Sequence, residues 1–227
     1  MTKSGRQTIS PGVKYRVSGL EAYQPGSKGK VLSNLLGITS VREMEEAELA
    51  SAIKAEHVLM GLYGQHHTFT RADIDRIHRL FLGKIYSWAG TTRKVDLTKG
   101  GFTFAHWTLI PELMDRLESH VLAKHTPCKG ATTEEIAEHI AVVHVQLLLI
   151  HPYREGNGRT ARLLATMMAY QAGMPGIDFG FIGSRGKEFD GYVGAVQAGL
   201  KDNYAPMTAI VLRALTLALK RNRSRVQ

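Results

Sequence analysis

The stretch His151-Pro152-Tyr153-Arg154-Glu155-Gly156-Asn157-Gly158-Arg159-Thr160-Ala161-Arg162 decides how the rest of the chain is read. On its N-terminal side Ile136, Ile140, Val143, Leu147 and Ile150 recur at helical spacing. Pro152 stops that helix, because the residue before a proline is disfavoured in the α region. A second helix is expected to begin near Thr160 and end at Gly173. Between them Gly156 and Gly158 let the backbone turn its N–H groups toward one point at a helix start, where the helix dipole favours negative charge. Arg159 and Arg162, three residues apart on one helix face, can hold phosphate oxygens in planar forks. The segment therefore reads as a polyphosphate cradle. Glu155 supplies one hard oxygen at its mouth, which suits Mg2+ held through one carboxylate, phosphates and water. His151 has a reference pKa of about 6.5, so most of it is neutral at pH 7 and it can act as a general base. A base beside a bound polyphosphate implies transfer to an incoming hydroxyl.

Outward from this loop the chain is mostly helical. A helix is expected from Thr39 to about Tyr63, opened by a Ser40–Glu43 capping box and packed through Met44, Ala47, Ile53, Val58 and Leu62. Thr70 with Asp73 opens another, whose stripe Ile74, Ile77, Leu80, Phe81 and Ile85 runs to the Trp88-Ala89-Gly90 break. From Val95 to Trp107 the period changes: alternating Val95 and Leu97, then Gly100-Gly101, then alternating Phe102 and Phe104 predict a β-hairpin. Helices return at Leu113 and Leu117, around Tyr192, and from Pro206 to Leu219. The expected organisation is an extended basic arm over 1–30, one domain over 31–219, and a basic tail over 220–227 that carries Lys220, Arg221, Arg223 and Arg225.

Composition narrows the function classes. Of the 227 residues 44% are hydrophobic and 22% charged, enough apolar material for a core and far from a disordered composition. No apolar run approaches about 18 residues and the N-terminus lacks an apolar signal region, so a cytoplasmic protein is expected. The single cysteine, Cys128, excludes a disulfide framework and a Cys-based zinc site. The formal charge of +9 favours an anionic partner. The charge is scattered, however, and no zinc-finger, basic-zipper or RNP-like pattern accompanies it, which argues against nucleic acid as direct substrate.

Two other readings of the same residues fail on spacing. Gly156-x-Gly158-x-x-Ala161 with Asp178 about twenty residues on imitates a dinucleotide fingerprint, but five residues intervene where a strand should run into the glycines, and the preceding segment has a helical period. His144 and His151 share a helix stripe, yet seven residues at 1.5 Å rise put them about 10.5 Å apart, too far for one metal. Gly29-Lys30 is followed by Val31 and lacks the upstream glycine of a P-loop.

The twelve-residue segment resembles the signature of Fic-domain proteins, His-Pro-Phe-x-[Asp/Glu]-Gly-Asn-Gly-Arg-x-x-Arg, with Tyr153 in place of the usual Phe. Asn34 to Thr39, the Ile77-His78 to Gly90 stretch and the hairpin from Val95 to Phe104 also look like family counterparts, so the likeness covers roughly residues 30 to 215. The resemblance implies an all-α fold around a central helix pair, with one β-hairpin flap over the active site. It further implies Mg2+-dependent transfer of AMP from ATP to a Ser, Thr or Tyr hydroxyl of a target protein. On that reading His151 is the base, Glu155 the Mg2+ ligand, and Gly156, Asn157, Gly158, Arg159 and Arg162 the phosphate site, while Tyr192 resembles the residue that packs against adenine. The related Doc branch has Lys where Gly158 stands and lacks the second arginine, so this chain falls on the nucleotidyl-transfer side. Some relatives use other nucleotides with the same loop.

The flap residues Thr98, Lys99, Gly100, Phe102 and Phe104 are expected to dock a target segment as an added strand. Many family members carry an inhibitory helix, [Ser/Thr]-x-x-x-Glu-[Gly/Asn], whose glutamate pairs with the second motif arginine. Here the candidate strings fail, because Glu43 is followed by Met44 and Glu188 by Phe189. The resemblance thus implies a separate small antitoxin whose glutamate reaches Arg162, in a toxin–antitoxin pair or a related effector delivered into another cell. A catalytically dead adaptor would have lost His151 or an arginine, and neither is lost.

Overall fold

The computed structural model describes residues 16–17 and 23–226 of the chain. Most of the expected N-terminal arm lies outside the described residues. Eight α-helices among them run α1 (Val41–Leu62), α2 (Arg71–Leu82), α3 (Ile110–Arg116), α4 (Ala123–His125), α5 (Thr133–Ile150), α6 (Asn157–Gln171), α7 (Lys187–Ala198) and α8 (Ala205–Val226). A π-helical segment, Leu117–Leu122, makes α3 and α4 one continuous rod.

The core forms around α5. Its expected stripe of Ile136, Ile140, Val143, Leu147 and Ile150 is buried, and so are Ala137, Ala141, His144, Val145 and Leu148 on its other faces. A helix apolar on nearly every side must be surrounded. α8 and α6 pack along α5, while α1 and α2 in turn cover α6. Thr132 and Glu135 close a capping box at the start of α5, as Thr70 and Asp73 do for α2. Ser40 gives α1 only its own half of such a box, accepting from the Glu43 N–H.

The structure departs from the sequence reading in four places. In α1 the buried stripe is Met44, Glu48, Ala55 and Leu59, whereas Ile53, Val58 and Leu62 face outward. Two apolar stripes run along this helix, and the one that meets α2 and α6 wins. α6 starts at Asn157 rather than near Thr160, because Gly156 takes a left-handed turn with φ 82° that lets the helix begin at once. Residues 23–30 are a folded turn rather than an arm: Gln24 donates its N–H to the Val31 carbonyl and Tyr23 bridges to Leu32. The last helix is longer than expected, since α8 continues past Leu219 through residue 226.

The hairpin is β2 (Leu97–Lys99) and β3 (Phe102–Thr103), antiparallel, with Thr98 opposite Thr103 and Lys99 opposite Phe102. Gly100 and Gly101 both have positive φ, 56° and 82°, as a two-residue turn matched to strand twist requires. A third strand, β1 (Arg16–Val17), pairs antiparallel with β2, so β2 is the middle of the sheet.

Candidate functional site

The loop from 151 to 156 is made rigid from within and from below. His151 closes α5 in the left-handed region, φ 52° and ψ 58°, with its N–H donated to the Leu147 carbonyl at 3.0 Å. Asn157 bonds the backbone of Tyr153 twice, accepting its N–H at 2.8 Å and donating to its carbonyl at 2.7 Å. That differs from the expected phosphate contact: the Asn157 side chain is buried and fixes the turn. Tyr153 donates its phenol to Asp75 of α2 at 2.7 Å and stacks on His78 at 3.8 Å. The tolerance of a phenol at this position is thereby explained. His78 accepts the Gly90 N–H at Nδ1 and so donates from Nε2 to the Glu155 carbonyl, at 2.8 and 3.0 Å. A Cβ on Gly156 would fall 2.6 Å from Leu82, whereas one on Gly158 would meet open space.

A cavity of about 660 Å3 opens above this loop. His151, Glu155, Gly156, Gly158, Arg159 and Arg162 line its floor, Lys99, Gly100, Phe102 and Phe104 its flap side, and Tyr192 the wall from α7. The cavity brings together the residues named from the sequence except Thr98, which pairs with Thr103 across the hairpin, and Asn157, neither of which lines it.

His151 donates Nδ1–H to the Leu148 carbonyl at 3.2 Å, which leaves the lone pair on Nε2. The Phe104 ring stacks on the imidazole at 3.8 Å with planes 22° apart. Only 6% of the residue is exposed. Burial therefore lowers its pKa from 6.5 to about 3, opposed by the Leu148 bond and the Glu155 charge. The sequence reading, with an ordinary histidine partly charged near neutrality, is corrected here: His151 is neutral throughout the physiological range.

The two motif arginines differ. Arg159 donates from Nη1 to Oε2 of Glu48 at 2.7 Å, lies 3.6 Å from Glu155 through Nη2, and covers the Phe81 ring. Glu48 also accepts the Tyr86 phenol at 2.8 Å. Arg162 instead sits between the rings of Phe179 and Tyr192, at 5.6 and 5.7 Å from their centres. Tyr192 is buried beneath it and bonds His144 Nε2 at 2.7 Å, and His144 donates Nδ1–H to the Ala161 carbonyl at 3.2 Å. Burial and the nearby Arg162 charge push the His144 pKa down to about 3, which fixes it as the neutral acceptor of the Tyr192 proton.

Sequence reasoning missed Glu48 and Arg93. Glu48 carried a readable signal, an acid in register with Met44 and Leu59. Arg93 carried none: it is one more cation in a basic chain, yet it is 2% exposed and bonded to three carbonyls.

Against this geometry the relatives can be placed. VbhT of Bartonella schoenbuchensis, a protein adenylyltransferase, is 34% identical over 146 residues, 63% of this chain and 30% of VbhT. The probable protein adenylyltransferase y4lH of Sinorhizobium fredii is 33% identical over 97 residues, 43% of this chain and 50% of y4lH. This chain thus spans half or less of the length of both. The crystal structure of BepC from Bartonella tribocorum, a VirB-translocated effector with bound AMPPNP, superposes with a TM-score of 0.65 at 25% identity, over 81% of this chain and 91% of that one. Residues 68–169, which run from just before α2 to near the end of α6, match the model of the Fic/DOC family. The motif lies within this segment, so residues 68–169 of the chain match the Fic/DOC family, and the helix pair α5 and α6 that holds the motif carries the likeness.

Proposed function

We propose that the chain is a protein adenylyltransferase that transfers AMP from ATP to a Ser, Thr or Tyr hydroxyl of another protein. The observation that carries this reading is one cavity shared by the neutral His151, the amino end of α6, Arg162 and the flap. The triphosphate lies along Gly156 and Gly158, with Arg162 on its terminal phosphates and Arg159 beside them. The target hydroxyl oxygen attacks the α phosphorus. The new O–P bond forms as the bond to the pyrophosphate oxygen breaks, and the hydroxyl proton passes to His151 Nε2. Glu155 would hold Mg2+, which neutralises phosphate charge when bound; a single carboxylate at the cavity mouth suits an ion that takes its other ligands from phosphates and water. Incubation with ATP labelled at the α phosphate, Mg2+ and a cell lysate should label protein. His151→Ala should abolish the label and keep binding of a non-hydrolysable ATP analogue. Equal labelling by both proteins contradicts the reading.

The nucleobase is tested by offering GTP, CTP and UTP in parallel, since a Fic-fold transferase of another nucleotide would share this floor. Tyr192, buried under Arg162, supports phosphate positioning more than contact with adenine. Target docking by strand addition finds the outer edge of β3 at Phe102–Thr103 open among the described residues, while β2 is flanked by β1 and β3. Proline at Thr103 should then reduce target labelling more than ATP binding.

The arginine contrast supports a reading of regulation. Glu48 engages Arg159, whereas Arg162 rests against the Phe179 and Tyr192 rings, in keeping with a separate antitoxin whose glutamate reaches Arg162. Expression of the chain alone in bacteria should arrest growth and His151→Ala should relieve the arrest. Inactivity of the isolated chain, relieved by Glu43→Gly, would instead place the brake within it. The likeness to BepC, a translocated effector, supports delivery into another cell as the alternative setting.

A further inference from the structure

Arg93 lies between the motif loop and the flap, fully inside the protein. Its Nε donates to the carbonyl of His151 at 2.8 Å, its Nη1 to Val95 at 2.6 Å and its Nη2 to Ala105 at 2.6 Å. Its backbone N–H donates to the Pro152 carbonyl at 2.8 Å. One residue thus takes up two successive carbonyls just past the end of α5, where intrahelical partners have run out, and one carbonyl at each foot of the hairpin. The guanidinium suits this because its donors diverge in a fixed plane, whereas an ammonium presents three donors from one point. The second foot, Ala105, follows Phe104, whose ring stacks on His151 and whose N–H bonds the Leu97 carbonyl at 3.1 Å. A closed circuit results: His151 backbone, Arg93, the foot of the flap, Phe104, and back to the His151 ring.

We propose that Arg93 is a positioning residue that locks the flap to the motif loop, so that the strand presenting a target and the imidazole that takes its proton keep a fixed distance. The proposal rests on the adenylyltransferase reading for its effect on rate, but the lock itself is a property of the folded chain. Phosphate binding, built from the amino end of α6 and Arg162, lies outside the circuit.

Two measurements test it. The first is Arg93→Lys, which keeps the charge and loses the fork. Because a misplacement of about 1 Å can cost on the order of 100-fold in rate, kcat for target labelling should fall about 10- to 100-fold, with the Kd of a non-hydrolysable ATP analogue changed less than about threefold. In a Phe104→Ala background, which already cuts the circuit, the same substitution should cost clearly less. Unchanged kcat, or kcat and nucleotide affinity falling together with additive losses in the double variant, overturns the proposal. The second uses the unaltered protein and no activity. In native-state hydrogen exchange the amides of Arg93, Phe104 and His151 should open together with one common protection factor. If the Phe104 amide exchanges through an earlier, separate opening, the lock is refuted. Failure of any nucleotide to label protein would sink the activity reading and leave the exchange result to decide the lock.

Discussion

The motif loop and the flap face each other across one cavity, yet they are held by different means. Residues 151–157 are fixed by short-range bonds, Asn157 to Tyr153 and His151 to Leu147 and Leu148, and by α2 beneath them through His78 and Asp75. The flap reaches the body of the site through Arg93 and through Phe104 on the imidazole. On the proposed reading a loop tied at many points would bind and orient phosphate without rearrangement, while a hairpin fixed chiefly near its feet, with Lys99 near the tip over the Phe189 ring, would accept strands of varied sequence. The contrast predicts that damage to the loop is severe and uniform, whereas damage to the flap is milder and changes selectivity or pH response.

The largest effect should come from His151→Ala on the loop side, a loss of about 10^2- to 10^4-fold in transfer, read by single-turnover labelling. Gly156→Ala comes next. Its left-handed φ costs about 1–2 kcal/mol and the contact with Leu82 about 1–3 more, so thermal unfolding should report roughly 2–5 kcal/mol of destabilisation. A change below about 0.5 kcal/mol would mean the loop is less rigid than the contrast requires. Tyr192→Phe leaves buried His144 without its proton donor and should cost about 1–3 kcal/mol. Because the lost hydroxyl also bonds Arg162, affinity should fall more for an ATP analogue than for AMP.

The smallest effect belongs to the flap. Burial lowers the His151 pKa to about 3, and on the proposed reading its neutral form is the active one, so transfer in the unaltered protein should show no His151 acid limb between pH 8 and 5. Phe104→Ala exposes the ring and raises its pKa back toward about 6.5, so more of it is protonated at low pH. The variant should therefore lose up to about fourfold more on going from pH 8 to pH 6. A flat profile in the variant would separate Phe104 from the state of the base.

How much was legible in the sequence follows the same division. The α5 stripe, the turn at Gly156 and the arginine pair are local patterns, and periodicity and glycine chemistry reveal such patterns directly. The α1 stripe was misread because two apolar faces run along one helix and only packing against α6 chooses between them. The Glu48–Arg159 pair joins residues 111 positions apart, and Arg93 acts through backbone carbonyls that have no sequence identity. The depressed pKa of His151 is likewise a property of the stacked Phe104 and the closed core, not of the segment that contains it.

The most direct test of the account compares two labels on the same ATP. Purified chain, Mg2+ and a lysate are incubated with ATP labelled at the α phosphate and, separately, at the γ phosphate. The account predicts that the α label alone enters protein, and that His151→Ala prevents it. Entry of the γ label, or α label entering equally without His151, would contradict it.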